Sequence, residues 1–216
     1  MIINLSSQHS LVSNWVGELR DIEIQKDRMR FRRNLERIAE VIGYEISKKL
    51  DAVEVAITTP LGTKNTKVLK KQPVLATILR AGLPMHNGLL HYFDKADNAF
   101  LSAYRKHHAD GSFEISLEYM SCPSLEDRIL IISDPMLATG ASLVKSIEHL
   151  HSAGNIKDIH IACAIGCTPG IELVAKSFPK ATIWCGDIDA ELTAKGYIYP
   201  GLGDAGDLAY GSKMQQ

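Results

Sequence analysis

Arg128-Ile129-Leu130-Ile131-Ile132-Ser133-Asp134-Pro135-Met136-Leu137-Ala138-Thr139-Gly140-Ala141-Ser142 is the stretch that decides the fold. An apolar run ends on an acid, a short loop of small and hydroxyl-bearing residues follows, and a helical segment begins near Ser142. Such a loop points several backbone N–H groups at one place, and the helix N-terminus adds a field that favours an anion. Thr139 and Ser142 add hydroxyl donors, and Gly140 permits a backbone angle that a side chain would oppose. Asp134 stands one loop length ahead, where a carboxylate can accept from two adjacent sugar hydroxyls. An acid followed by a phosphate cradle suits a ribose 5-phosphate. The plain alternative is a helix capped by Ser142 after a turn begun by Asp134.

The same rhythm extends to both sides. Val74–Leu79 precedes a helix from about Pro84 to Tyr92, Asp158–Ile165 precedes one near Gly170–Phe178, and Ala181–Cys185 follows. Ala99–Tyr104 and Phe113–Tyr119 flank the polar tip Lys106-His107-His108-Ala109-Asp110-Gly111. Short Val- and Ile-rich runs alternating with helices predict an α/β fold with a mainly parallel central sheet covered on both faces. Ligands then bind at the carboxyl ends of the strands. Upstream, Phe31, Leu35, Ile38, Ile42 and Ile46 recur at helical spacing, predicting one long helix over 24–50. Val53–Ile57 and Thr66–Leu69 flank Pro60-Leu61-Gly62 and read as a hairpin. The expected organisation is one domain over 1–216, with residues 1–50 as an N-terminal helical arm.

Composition narrows the function classes. The 216 residues carry a net charge of −1, so no global attraction for nucleic acid or anionic lipid is expected. No apolar stretch approaches the ~20 residues that span a bilayer, and Met1-Ile2-Ile3-Asn4-Leu5 lacks a secretory pattern, so a cytoplasmic protein is expected. Cys122, Cys163, Cys167 and Cys185 lack a zinc-ligand spacing and read as buried free thiols. His107, His108, His149 and His151 lie on a loop tip and a helix end, so no protein metal site is assigned. The basic run Lys26, Arg28, Arg30, Arg32, Arg33 and Arg37 reads as a solvated or subunit-facing helix side, with RNA binding as the alternative.

Two further blocks accompany the central motif. Ile78-Leu79-Arg80-Ala81-Gly82-Leu83 lies at a strand end, where small residues let the backbone approach a ligand and Arg80 offers a planar fork of donors. Gly196-Tyr197-Ile198-Tyr199-Pro200-Gly201-Leu202-Gly203-Asp204-Ala205-Gly206-Asp207 holds too many glycines for a strand or helix interior and reads as a loop able to approach a flat ligand closely.

Together the three blocks resemble the uracil phosphoribosyltransferase family, with Asp134-Pro135-Met136 its most specific element. The similarity runs from about residue 24 to residue 211. It implies a type I phosphoribosyltransferase fold with a β-hairpin lid, and the conversion of uracil and 5-phospho-α-D-ribose 1-diphosphate (PRPP) to UMP and diphosphate. By resemblance Arg80, Arg105, Asp134 to Ser142 and Asp204 bind PRPP. Ile198, Gly203, Asp204 and Ala205, within a C-terminal loop at 195–211, bind uracil. Asp204 and Arg105 are the candidate catalytic residues. The resemblance also implies Mg²⁺ bound mainly through PRPP, a homodimer or higher homo-oligomer, and room for a GTP effector.

Three positions depart from the family pattern. Lys106-His107-His108 replace the usual acidic residues, Pro84 stands where glycine is common, and Ala141 replaces a glycine of the phosphate loop. The alternative functions are transfer to another base and an RNA-binding regulator built on the same fold.

Overall fold

The computed structural model describes residues 1–107 and 113–213, and residues 103–107 and 113–117 by their backbone alone. In chain order the elements begin with β1 (Ile2–Asn4), α1 (Leu11–Arg20), α2 (Arg28–Ser47), β2 (Ala52–Thr59) and β3 (Gly62–Leu69). Next come β4 (Val74–Leu79), α3 (Leu83–Tyr92), β5 (Asp97–His107), β6 (Phe113–Ser121), β7 (Ile129–Ser133) and β8 (Met136–Leu137). The chain continues with α4 (Ala141–Leu150), β9 (Asp158–Cys167), α5 (Thr168–Ser177) and β10 (Thr182–Asp189). It closes with β11 (Glu191–Leu192), β12 (Ile198–Tyr199) and α6 (Ala205–Tyr210).

The main sheet runs β1-β10-β9-β7-β4-β5-β6, with β8 also paired to β9; every pairing is parallel except β5 with β6. Its strands are buried on both faces, so successive residues serve opposite cores. Ile131 packs with the α1, α2 and α3 side, whereas Leu130 and Ile132 pack with α4 and α5. The stripe Phe31, Leu35, Ile38, Ile42 and Ile46 is buried as its spacing predicts, each side chain contributing about 1.5–3 kcal/mol. The mainly parallel sheet covered by helices on both faces is the expected α/β architecture.

The N-terminal helical arm is corrected. Ile2–Asn4 pair with Ile183–Cys185 as an edge strand, and α1 and α2 pack on the sheet rather than standing apart from it. The helix expected over 24–50 spans Arg28–Ser47, because Asp27 caps it by accepting from the amides of Met29 and Arg30. β2 and β3 form the expected hairpin as a separate two-stranded sheet, exposed along nearly its whole length. β5 and β6 form the hairpin expected for the lid. Its tip at 108–112 lies outside the described residues, as does the side chain of Arg105.

Candidate active site

The three blocks meet at the carboxyl edge of the parallel sheet. Asp134 follows β7, with its amide donating to Ala162 O at 3.1 Å and its Oδ1 accepting from Met136 N at 3.3 Å. Met136 and Leu137, expected in a loop, form the two-residue β8 against Ile165 and Gly166 of β9. The chain then turns at Gly140, whose φ of 79 is the left-handed conformation glycine adopts at least cost, and α4 begins at Ala141. Ala141 is helical there and the lack of glycine is harmless. Gly140 caps α4 without a side-chain hydrogen bond, so Ser142 is not the helix cap of the plain alternative. Ser142 instead lines a concavity together with Asp134, Met136, Leu137, Ala138, Thr139, Gly140 and Leu143. Pro135 and Ala141 do not line it.

Two glycines seat this loop. A Cβ on Gly170, in α5, would collide with the carbonyl oxygen of Ala138 and lie 3.0 Å from Gly140 N. A Cβ on Gly82 would collide with Thr77 Oγ1 and lie 2.8 Å from Ser133 O, immediately before Asp134. Gly82 thereby brings the Arg80 loop against β7. Pro84, the second departure, sits in the first turn of α3, where its missing N–H costs nothing.

The C-terminal block is corrected in part. Ile198–Tyr199 is a short strand paired with Glu191–Leu192, and Ala205–Tyr210 is a helix with Gly206 inside it; 193–197 and 200–204 are loop. Asp204 caps this helix by accepting from Asp207 N at 3.0 Å. Asp207 accepts from Arg80 Nη2 at 2.6 Å, and a Cβ on Gly206 would lie 3.2 Å from Asp204 Oδ1 and 3.6 Å from Arg80 Nε. The structure therefore joins Arg80 to Asp204 and its helix. Ile198 and Ala205 are buried beside the exposed Gly203.

The carboxyls of the two acids are shifted in opposite directions. Burial pushes the Asp134 carboxyl up to about 7, opposed by the Met136 amide. Burial also works against charge on Asp204, but the Asp207 amide and the Lys213 ammonium hold its carboxyl below the usual range. The raised value at Asp134 means that its ionised form costs the unliganded fold. That contribution to stability is whole below the unfolded value of 3.8 and is lost as pH rises through about 7. Asp134→Asn stays neutral, so it is expected to gain urea resistance relative to the parent as pH is raised from about 5 to about 8. A difference in unfolding midpoint that does not change over that range would contradict the raised value.

Asp207 and Gly170 pack around this loop set although the sequence does not mark them as site residues, whereas Gly82 stands in a block read for close backbone approach. Asp207 lies in the C-terminal glycine-rich stretch; Gly170 carries no local signal. The basic run is largely occupied by intramolecular partners. Arg30 pairs with Glu18 at 2.6 Å, Arg33 with Glu36 at 2.9 Å, Lys26 with Glu23 at 2.7 Å, and Arg32 donates to Ala209 O at 2.6 Å. Three of the six cations are thus paired with carboxylates, while the partner of Arg32 is a neutral carbonyl. Cys163, Cys167 and Cys185 are buried free thiols, as expected, whereas Cys122 is a free thiol that is only half-buried. Among the described residues no helix is long and apolar enough to cross a membrane.

Comparison with known proteins gives a concordant picture. A family model described as uracil phosphoribosyltransferase matches residues 6–212. The uracil phosphoribosyltransferase of Porphyromonas gingivalis is 50% identical over 214 residues, covering 99% of each chain. That of Thermococcus gammatolerans is 35% identical, covering 92% of this chain and 88% of its own. The solved structure of the AQ2163 protein from Aquifex aeolicus superposes over 100% of both chains with a TM-score of 0.88 and 29% identity. By family model, by identity along its whole length and by the three blocks that its fold brings together, this chain belongs to the uracil phosphoribosyltransferase family.

Proposed function

We propose that the chain transfers the 5-phosphoribosyl group of PRPP to N1 of uracil, giving UMP and diphosphate in the cytoplasm. The observation that carries this is the convergence of the Asp134–Ser142 cradle, the Arg80–Gly82 loop and the Ile198–Ala205 turn at one sheet edge, tied by the Arg80–Asp207 contact of 2.6 Å. In this reading the 5-phosphate sits on the amides of residues 138–142 and the hydroxyls of Thr139 and Ser142. Asp134 accepts from the ribose hydroxyls, whose donation favours its ionised form. Arg80 keeps N–H groups beyond its bond to Asp207 and presents them to the diphosphate.

Uracil N1 attacks the anomeric carbon as the bond to diphosphate breaks, with inversion, and the N1 proton passes to the departing diphosphate or to solvent. Positioning and electrostatic stabilisation supply the acceleration. Asp204, held ionised by its cap contacts, is a weak proton acceptor, which supports an orienting role over deprotonation of N1. Arg80 would share the charge of the leaving diphosphate with a PRPP-chelated Mg²⁺, which would supply charge neutralisation there. Among the described residues no three His, Cys, Asp or Glu side chains stand together for an ion, so substrate phosphates supply its ligands in this reading.

A homo-oligomer is also part of the proposal. It is supported by β2–β3, a hairpin outside the main sheet that exposes Val53, Ile57, Leu61 and Val68. The decisive assay is UMP formation from radiolabelled uracil, PRPP and Mg²⁺; no UMP would refute the activity. Thr139→Val removes one donor at nearly constant shape and is expected to weaken PRPP binding by about 1.5–3 kcal/mol. An unchanged PRPP affinity would place the phosphate elsewhere.

A further inference from the structure

Arg20 ends α1 and reaches the carboxyl end of β10. Its Nη1 donates to Asp189 Oδ2 at 2.7 Å and to Gly201 O at 3.0 Å. Its Nη2 donates to Asp189 Oδ1 at 2.8 Å and to Asp187 Oδ2 at 3.0 Å. The Gly201 amide donates to Asp189 Oδ2 at 3.1 Å. One ion pair thus holds both backbone polar groups of Gly201. It is largely withdrawn from solvent, with side chains 20% and 8% exposed for Arg20 and Asp189.

The turn it grips needs an external hold. Gly201 at φ 57 and Gly203 at φ 100 both occupy the left-handed region, and a Cβ on Gly201 would collide with the carbonyl of Ile198. Glycines that make such a turn accessible also enlarge the number of conformations it can sample. A base read by backbone N–H and C=O groups requires those groups at fixed positions, since side chains cannot compensate for a displaced main chain. A buried ion pair is a poor source of net stability, because desolvating two charges offsets most of their attraction; its best-attested use is in fixing one arrangement.

We propose that Arg20 and Asp189 are positioning residues for base recognition, clamping Gly201 so that the backbone of Ile198 and of Gly203–Ala205 meets the base in a single geometry. This rests on the reading of that turn as the base site. Neither residue touches the base; both act through Gly201.

The test uses Arg20→Met, Arg20→Lys and Asp189→Asn. KM is measured for the base at saturating PRPP and for PRPP at saturating base, with melting temperature alongside. In Arg20→Met and Asp189→Asn, KM for uracil should rise by about tenfold or more, and KM for PRPP, which Asp204 of the same turn is also expected to contact, by several-fold less. Arg20→Lys, which keeps the charge but loses the fork, should fall between wild type and Arg20→Met. Hydrogen exchange in the unliganded Asp189→Asn protein supplies a readout free of activity: amides 198–205 should exchange faster while β4 and β9 do not. Equal changes in both KM values, unchanged KM values with a lowered melting temperature, or unchanged exchange at 198–205 would each overturn the clamp. If the wild-type chain makes nucleotide from another base and not from uracil, the base assignment alone falls, and the KM split measured with that base decides the clamp.

Discussion

Cytosine is expected to be used on the order of 10⁴-fold less efficiently than uracil, measured as kcat/KM under one set of conditions. Uracil presents an acceptor at O4 and a donor at N3, which a backbone N–H and C=O can meet. Cytosine reverses both, so donor faces donor and acceptor faces acceptor. Each mismatch leaves a buried polar group unpaired at about 1–3 kcal/mol. The turn suits such discrimination because Ile198 and Ala205 are buried and Gly203 brings bare backbone to the surface between them. A 5-fluoro group leaves both recognised atoms unchanged, so 5-fluorouracil should be a substrate wherever one extra small atom fits. Cytosine within about tenfold of uracil would sink backbone readout and the base-site assignment with it.

Gly170→Ala should lower kcat/KM for PRPP by about 10²-fold or more, although the residue lies on α5, outside every recognised block. Its added Cβ would collide with Ala138 O and stand 2.9 Å from Ala138 C and 3.0 Å from Gly140 N, all backbone atoms that no rotamer change can clear. Ile171 and Val174 bury the same helix, at 3% and 0% exposure, so the phosphate loop must yield rather than α5. A shift of about 1 Å in a positioning loop is enough for a 10²-fold loss. Gly17→Ala is the matched control. Gly17 lies in α1, and a Cβ added there would meet nothing within 4 Å, so alanine should add about 0.5–1 kcal/mol of stability and leave PRPP kinetics alone. Wild-type PRPP kinetics in Gly170→Ala would mean that the 138–140 loop does not hold the phosphate.

The parts of the fold written in local pattern were legible. β4, β7, β9 and β10 are buried on both faces and therefore read as apolar runs, and α2 carries its stripe at helical spacing. The loop between β7 and α4 was legible because acid, small residues and hydroxyls follow one another directly along the chain. What stayed hidden depends on distant partners. β1 is only three residues long and is a strand only because β10 pairs with it. Gly206 sits inside α6 against its propensity because Asp204 caps the helix and packs beside it. Arg80 and Asp207 are 127 residues apart, and Arg20 and Asp189 are 169 apart, separations that no spacing rule spans.

Those long separations also bear on the order in which the protein can be made. The amino group of Met1 donates to Ala181 O at 2.9 Å, Arg20 to Gly201 O at 3.0 Å and Arg32 to Ala209 O at 2.6 Å, so segments 177 to 181 residues apart in sequence are stitched together. At roughly 5–20 residues per second, α1 and the start of α2 wait on the order of ten to forty seconds for those partners. Throughout that interval the nascent chain carries a helix pair with its polar anchors unengaged and its apolar stripe dependent on strands still being synthesised. The Gly201–Ala205 turn therefore reaches its final hold only after α6 has been made, and a chain stalled short of α6 has the 138–142 loop without the Asp207 partner of Arg80.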